Sequence, residues 1–269
     1  MFEALRLDGK VIGEVWLHEP RGRLHHWHHH DEPEFNLVLR GHATYLLADR
    51  RYELHRHGLV WLFPRQEHMM VDLSEDLTMW IGVIRPTALR QVVADHAPYQ
   101  GLLDADPPGA FCRLLAPGDA AFLDRVCRDI TRGGDHVRQN AGMPYLFLTA
   151  WDRFQQSGAI DSTRLHPALL RATAALARNT AIAATALAKV SGVSRFHLAR
   201  LFRSELGTTM LAWRSRARIE QAMGLRRARP DLEWTDIAET CGFGSYAQFQ
   251  RTFSQVVGMT PRRWRSAKD

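Results

Sequence analysis

The chain has 269 residues, enough for about two domains with real cores, and its formal charge of +6 is uneven. Residues 164–269 hold 18 Lys and Arg against 7 Asp and Glu, a net of +11, which leaves −5 on the rest and suits a polyanion-binding module joined to a separate partner domain. Three cysteines (Cys112, Cys127, Cys241) without a CxxC spacing favour reduced thiols in a cytoplasmic protein over a disulfide framework, while the lack of a basic-then-apolar leader or of an apolar run near 18 residues gives no reason to expect export or a membrane span.

Residues 11–85 read as strands. Stretches 34–39, 43–47, 59–63 and 78–83 are rich in Val, Leu, Thr and aromatic residues, and Gly41, Gly58 and Pro64 punctuate them. Many short strands at regular spacing predict an antiparallel barrel or jelly roll.

Inside this region lies Gly22-x5-His28-x-His30-x3-Glu34-x6-Gly41, followed by Gly58-x5-Pro64-x3-His68. Along a strand His28 and His30 point to one face and His29 to the other. His28 and His30 are thus placed to share a metal, with Glu34 and His68 from neighbouring strands completing a nitrogen and oxygen site. Such a donor set suits one divalent transition metal: Zn, Ni, Fe, Mn or Cu. The alternative is a solvated cluster at a sheet edge; His25, His26 and His29 are surplus to either reading. The first run resembles the first motif of cupin barrels in full. The second resembles the other cupin motif loosely, with Gln66 where glycine is usual. The resemblance implies a small ligand held inside the barrel.

Residues 86–157 change to helical periodicity, with helices expected over 88–96, 120–131 and 143–156. Leu123, Val126, Cys127 and Ile130 form one apolar stripe; Tyr145, Leu148, Trp151 and Phe154 form another. Residues 104–109, with Pro107 and Pro108, and 132–134 read as loops. Ser157-Gly158 and Asp161-Ser162-Thr163 mark a linker over 158–165.

From 166 to 269 the chain carries a repeat. A first helix starts at His166-Pro167. Residues 184–207 and 235–258 then share one pattern at an offset of roughly 51 residues: a short helix, a glycine turn (Gly192, Gly242), an N-capping serine (Ser194, Ser245), a second helix and a closing glycine (Gly207, Gly258). Each copy is a helix-turn-helix. In the second helices Leu198, Leu201 and Phe202, and Phe249, Phe253 and Val256 or Val257, face inward by period. Arg195, Phe196, Ala199, Arg200 and Arg203, and Tyr246, Gln250 and Arg251, face outward, where Arg and Gln suit base edges in a major groove. One long helix over 209–229 joins the copies. About 20 residues at ~1.5 Å give ~30 Å, close to the ~34 Å turn of DNA. Leu211, Ile219, Ala222 and Met223 give it an apolar side; its arginines are either solvated or set against phosphates. Gly224 is its weak point.

The runs Ser194-x3-Leu198-x-Arg200-x-Phe202-x4-Gly207 and Ile237-Ala238-x3-Gly242-Phe243-x-Ser245-x3-Phe249-x-Arg251-x-Phe253-x4-Gly258-x2-Pro261-x2-Trp264-Arg265 resemble the DNA-binding domain of AraC/XylS-family transcription regulators. The resemblance places base contacts at Arg195, Phe196 and Arg200 in the first repeat and at Tyr246, Gln250 and Arg251 in the second. Ala199 stands where a longer polar residue is common, so the first repeat is expected to read fewer bases. It also implies a cupin-like sensor, a homodimer formed through a helix after the barrel, and promoter DNA as partner. The expected architecture is α+β in two domains: a cupin-like β-barrel with accessory helices over 1–157, and an all-α double helix-turn-helix domain over 166–269. The expected function is a non-enzymatic, sequence-specific regulator of transcription controlled by a small-molecule effector and by a metal on His28, His30, Glu34 and His68. Family habit favours an activator acting on RNA polymerase. The competing readings are a metal-dependent cupin enzyme fused to a DNA-binding module and a regulator that senses the metal itself.

Overall fold

The computed structural model describes residue 5 and residues 7–19, 28–104 and 110–266. Gly22, His25, His26, Pro107 and Pro108 lie outside the described residues. The described chain forms two compact units, one through Thr163 and one from Arg164.

The first unit holds β1 (Gly13–His18), β2 (Glu34–Arg40), β3 (Ala43–Leu47), β4 (Arg50–Leu54), β5 (Gly58–Leu62), β6 (His68–Leu73), β7 (Thr78–Ile84), β8 (Cys112–Leu114), β9 (Gly158–Ala159) and β10 (Ser162–Arg164). These strands make two antiparallel sheets rather than one closed ring. The larger has the order β1-β7-β2-β5-β8-β9 and the smaller β10-β4-β3-β6. Consecutive strands change sheets after β2, β4, β5, β6 and β9, the Greek-key habit of a jelly roll. The stretch expected as linker instead supplies β9 and β10, each added to a sheet edge.

Alternation on β2 separates two environments. Phe35 points outward, where its ring meets Trp61 and Phe147 at centroid distances of 6.0 and 5.3 Å. Glu34 and Asn36 point the other way, toward Tyr45 of the smaller sheet. Helices α1 (Pro86–Val93), α2 (Pro117–Thr131) and α3 (His136–Gln156) share one core cluster with the larger sheet. Leu123, Cys127 and Ile130 are buried as expected on α2. On α3 the buried stripe is Met143, Leu146, Phe147, Ala150, Trp151 and Phe154, whereas Tyr145 is 55% exposed. Helix α3 also starts earlier than expected, capped by the Asp135 side chain, and runs on past Pro144. Gly82 is required by packing, since a Cβ there would come within 2.5 Å of the Phe35 ring.

The second unit is all helix: α4 (Pro167–Arg178), α5 (Ala184–Ser191), α6 (Arg195–Leu206), α7 (Met210–Ala228), α8 (Trp234–Thr240), α9 (Tyr246–Val257) and α10 (Pro261–Ser266). The two copies are built alike. Gly192 and Gly242 take φ of 73° and 79° in the turns, and Gly207 and Gly258 close α6 and α9 at 63° and 76°. Ser194 and Ser245 cap α6 and α9, each hydroxyl accepting from the backbone N–H three residues on at 3.2 Å. Leu187, Leu198 and Phe202 are fully buried in the first copy. The second copy gathers Ile237, Phe249 and Phe253 around Trp234 and Trp264.

Candidate functional site

The sequence of each second helix decides which side chains are left outside. Phe249, Phe253 and Val257 fill the core of the second copy, and that fixes the rotation of α9. Gln250 and Arg251 then stand exposed, and Tyr246 is 38% exposed with its ring 5.8 Å from Phe249. Gln248 is committed elsewhere: its Oε1 accepts from the Gly244 N–H at 3.0 Å and steadies the helix start. On α6 the same logic exposes Arg195, Arg200 and Arg203, and Phe196 stands 90% exposed. All six expected contact positions therefore lie on outward faces of the two second helices.

An open groove of about 630 Å³ runs beside this face of α6, lined by Phe196, Arg200 and Arg203 and by Thr209, Met210 and Leu211 at the start of α7. Leu211, expected on the apolar inner side of the long helix, is instead 70% exposed. The helix begins only at Met210, and Trp213 takes the buried position at its first turn.

Several arginines of α7 are structural. Arg226 is 6% exposed, lies over the Trp234 ring and donates to the Leu232 carbonyl. Arg214 donates to the Ile182 carbonyl at 2.7 Å. Arg218 lies over the Phe243 ring beside the Gly242 turn. Arg171 of α4 makes the matching contact in the first copy, donating twice to the Ser191 carbonyl. The helix preceding each copy, α4 or α7, thus sets an arginine against the turn. Periodicity could not separate these from solvated arginines, because an aliphatic stem and a guanidinium satisfy both surroundings.

In the first unit, His28 and His68 form an antiparallel bridge, with backbone bonds of 3.1 and 3.0 Å. That pairing sets their rings 4.1 Å apart. One ring nitrogen from each of His28, His30 and His68 lies within 4.8 Å of the other two. His30 Nδ1 lies 2.9 Å from the Glu32 carbonyl, and His68 Nδ1 2.9 Å from the Gln66 carbonyl. A carbonyl only accepts, so both Nδ1 atoms carry hydrogen and each Nε2 is left for another partner. This is how metal-binding imidazoles are oriented. Glu34 stands outside the group of three, yet its Oε2 is 3.0 Å from His30 Nε2. Three buried or half-buried imidazoles with an adjoining carboxylate fit a divalent transition metal.

The electrostatics follow from the crowding. Burial would raise the Glu34 pKa, but the contact with His30 and the bond from Asn36 hold it at about 2. Burial takes His68 down to about 3, with the neighbouring His28 adding to the fall. His68 is thus neutral at ordinary pH. Burial alone would lower His30; Glu34 and Glu32 outweigh it and raise the pKa. His18 on β1, missed in the sequence, lies within electrostatic reach of Glu34, which partly opposes the lowering of its pKa by burial.

Comparison with known proteins matches residues 17–170 to the AraC-like ligand binding domain and residues 187–267 to a helix-turn-helix domain. The chain is 26% identical to the HTH-type transcriptional regulator YfiF of Bacillus subtilis, over 97% of this chain and 92% of that one. It is 26% identical to the HTH-type transcriptional activator RhaR of an Enterobacter species, over 88% of this chain and 86% of that one. Among solved structures, ToxT from Vibrio cholerae aligns over 94% of this chain and 96% of its own at 14% identity and a TM-score of 0.39. With an AraC-like ligand-binding domain spanning more than half its length and a duplicated helix-turn-helix behind it, this chain belongs to the AraC family of transcriptional regulators.

Proposed function

We propose that this regulator reads promoter DNA through Arg195, Phe196 and Arg200 of α6 and Tyr246, Gln250 and Arg251 of α9, and that a divalent transition metal on His28, His30, Glu34 and His68 is part of its sensor. The DNA-reading assignment rests above all on the shared rotation of α6 and α9, which buries the same apolar positions and leaves these six outside. Arg presents two parallel donors to the two acceptors of guanine, and exposed Phe196 offers apolar contact to a thymine methyl. Arg203 is suited to a phosphate, which positions the protein without informing on sequence. A homodimer and recruitment of RNA polymerase complete the reading. Relatives named as transcriptional activators support activation over repression.

The metal assignment rests on the two Nδ1 bonds to backbone carbonyls, which occupy both Nδ1 atoms and leave each Nε2 for another partner. When bound, the metal would supply a fixed positive centre for a lone pair of a small effector. The chain's own part is to keep His68 neutral, to keep Glu34 ionised and to exclude water from both. No catalytic turnover is assigned to this site.

The test is selection of DNA from a random pool by the purified protein with Zn(II) and with chelator. Recovery of a bipartite sequence, with half-sites about one helical turn apart (~34 Å), is expected. Recovery of no preferred sequence would sink the DNA reading. An unchanged affinity with and without metal would remove the metal from signalling, and absence of metal binding would remove it from the protein.

A further inference from the structure

A polar chain crosses the interior of the first unit behind the histidine cluster. Asn36 on β2 is 2% exposed, and its Nδ2 donates both hydrogens: one to Glu34 Oε1 at 2.8 Å, the other to the Tyr45 hydroxyl at 3.1 Å. Tyr45 sits on β3 in the opposite sheet, is 3% exposed, and directs its own hydrogen to Met79 Sδ at 3.8 Å. The amide cannot be turned over. Reversal would set Oδ1 against an ionised carboxylate that has no hydrogen to give. In this orientation Oδ1 is buried with no partner among the described residues. An orphaned buried carbonyl of this kind is destabilising. The fold tolerates that cost in order to aim two N–H groups, and one of them fixes the inner oxygen of Glu34. The outer oxygen, Oε2, is thereby turned toward His30 Nε2.

We propose that Asn36, held by Tyr45, is the positioning residue for Glu34 as a metal ligand, so that the opposite sheet takes part in setting metal affinity. The inference rests on the metal reading above. Asn36 touches no metal; it acts through Glu34. Outer partners of this kind are worth about 10–100-fold in affinity. The arrangement also ties the site to the distance between sheets, since His68 on β6 and Tyr45 on β3 belong to the smaller sheet and Glu34 and Asn36 to the larger.

The experiment titrates full-length protein with Co(II), followed by its visible spectrum, and then competes Co(II) with Zn(II). Wild type is compared with Asn36→Leu, Tyr45→Phe and Glu34→Gln. The expected result is wild-type binding, a loss of about 10–100-fold in Asn36→Leu and about 10-fold in Tyr45→Phe, with the Asn36→Leu spectrum moved toward that of Glu34→Gln. Wild-type affinity and spectrum in Asn36→Leu would overturn the inference while leaving the metal site in place. If Asn36→Leu does not fold, Tyr45→Phe decides, and its unchanged spectrum and affinity would overturn it. A wild type that binds no Co(II) overturns the metal reading itself, and the inference with it.

Discussion

Arg200 and Arg226 are both arginines on helices of the second unit, yet truncating them should have opposite signatures. Arg200 and its counterpart Arg251 are exposed and unpaired among the described residues, so Arg200→Ala and Arg251→Ala should each leave stability within about 0.5 kcal/mol. Each should cost about 1–3 kcal/mol in binding and relax the base preference at one position. Binding measured against single-base variants of the selected site checks this; full discrimination retained in both variants would refute the assignment. Arg226→Ala should instead lower the unfolding midpoint, because the guanidinium is buried over Trp234 and satisfies the Leu232 carbonyl. The loss expected is about 1–3 kcal/mol, the cost of one orphaned carbonyl and a vacated stacking place. The sequence distinguished the outward residues of α6 and α9 because aromatic and aliphatic neighbours fix the phase of those helices. It did not separate Arg226 from Arg227, since burial of a guanidinium depends on a ring and a carbonyl contributed from the stretch beyond α7. Asn36 was missed for a related reason: its two partners are one strand neighbour and one residue across the sheets.

Elements hold their places here through a few glycines, and the positions differ in what a methyl group would meet. Gly242 has φ 79° in the turn of the second copy, and a Cβ would stand 3.3 Å from the Arg218 guanidinium. Gly242→Ala should cost about 1–2 kcal/mol from the left-handed conformation alone. Gly82→Ala should destabilise the first unit by about 1–3 kcal/mol, because the ring it strikes is wedged between Trp61 and Phe147. Gly224 is the opposite case. It lies inside α7 with open space around its would-be Cβ, so Gly224→Ala should stabilise by about 0.5–1 kcal/mol. Urea unfolding of the three variants checks both sign and order, and a destabilised Gly224→Ala would mean that α7 bends or packs there. The turn glycines were legible in the sequence because their signal is local. The stripe of α3 was read correctly at Trp151 and Phe154 but wrongly at Tyr145, which satisfies the spacing as well as Leu146 and Phe147 do. Strands β9 and β10 were read as linker because two or three polar residues acquire strand character only from the edge they join.

At the scale of the whole molecule, the split of charge between the two units implies a split in what stabilises each. The second unit carries a net +11, and DNA that offsets this charge should bind with an affinity that falls steeply with salt. The first unit's buried titratable cluster is His28, His30, Glu34 and His68, with His28 and His68 paired as an isolated bridge. A metal there binds the folded unit and not the unfolded chain, so it should add about 2.7 kcal/mol at a free concentration 100 times its dissociation constant. If the metal sits on Glu34 of β2, His68 of β6 and the histidine paired to His68, that gain should appear first in slower amide exchange over 34–40 and 68–73. Exchange over 195–206 and 246–257 should not change, and His68→Ala should abolish the effect. Protection that spread equally into α6 and α9 in the absence of DNA would mean that the metal's free energy reaches the DNA-reading helices directly, so that the sensor works by stiffening both units together. Protection confined to the sheets would mean that metal prepares the first unit for its effector and that the signal to DNA awaits the effector itself.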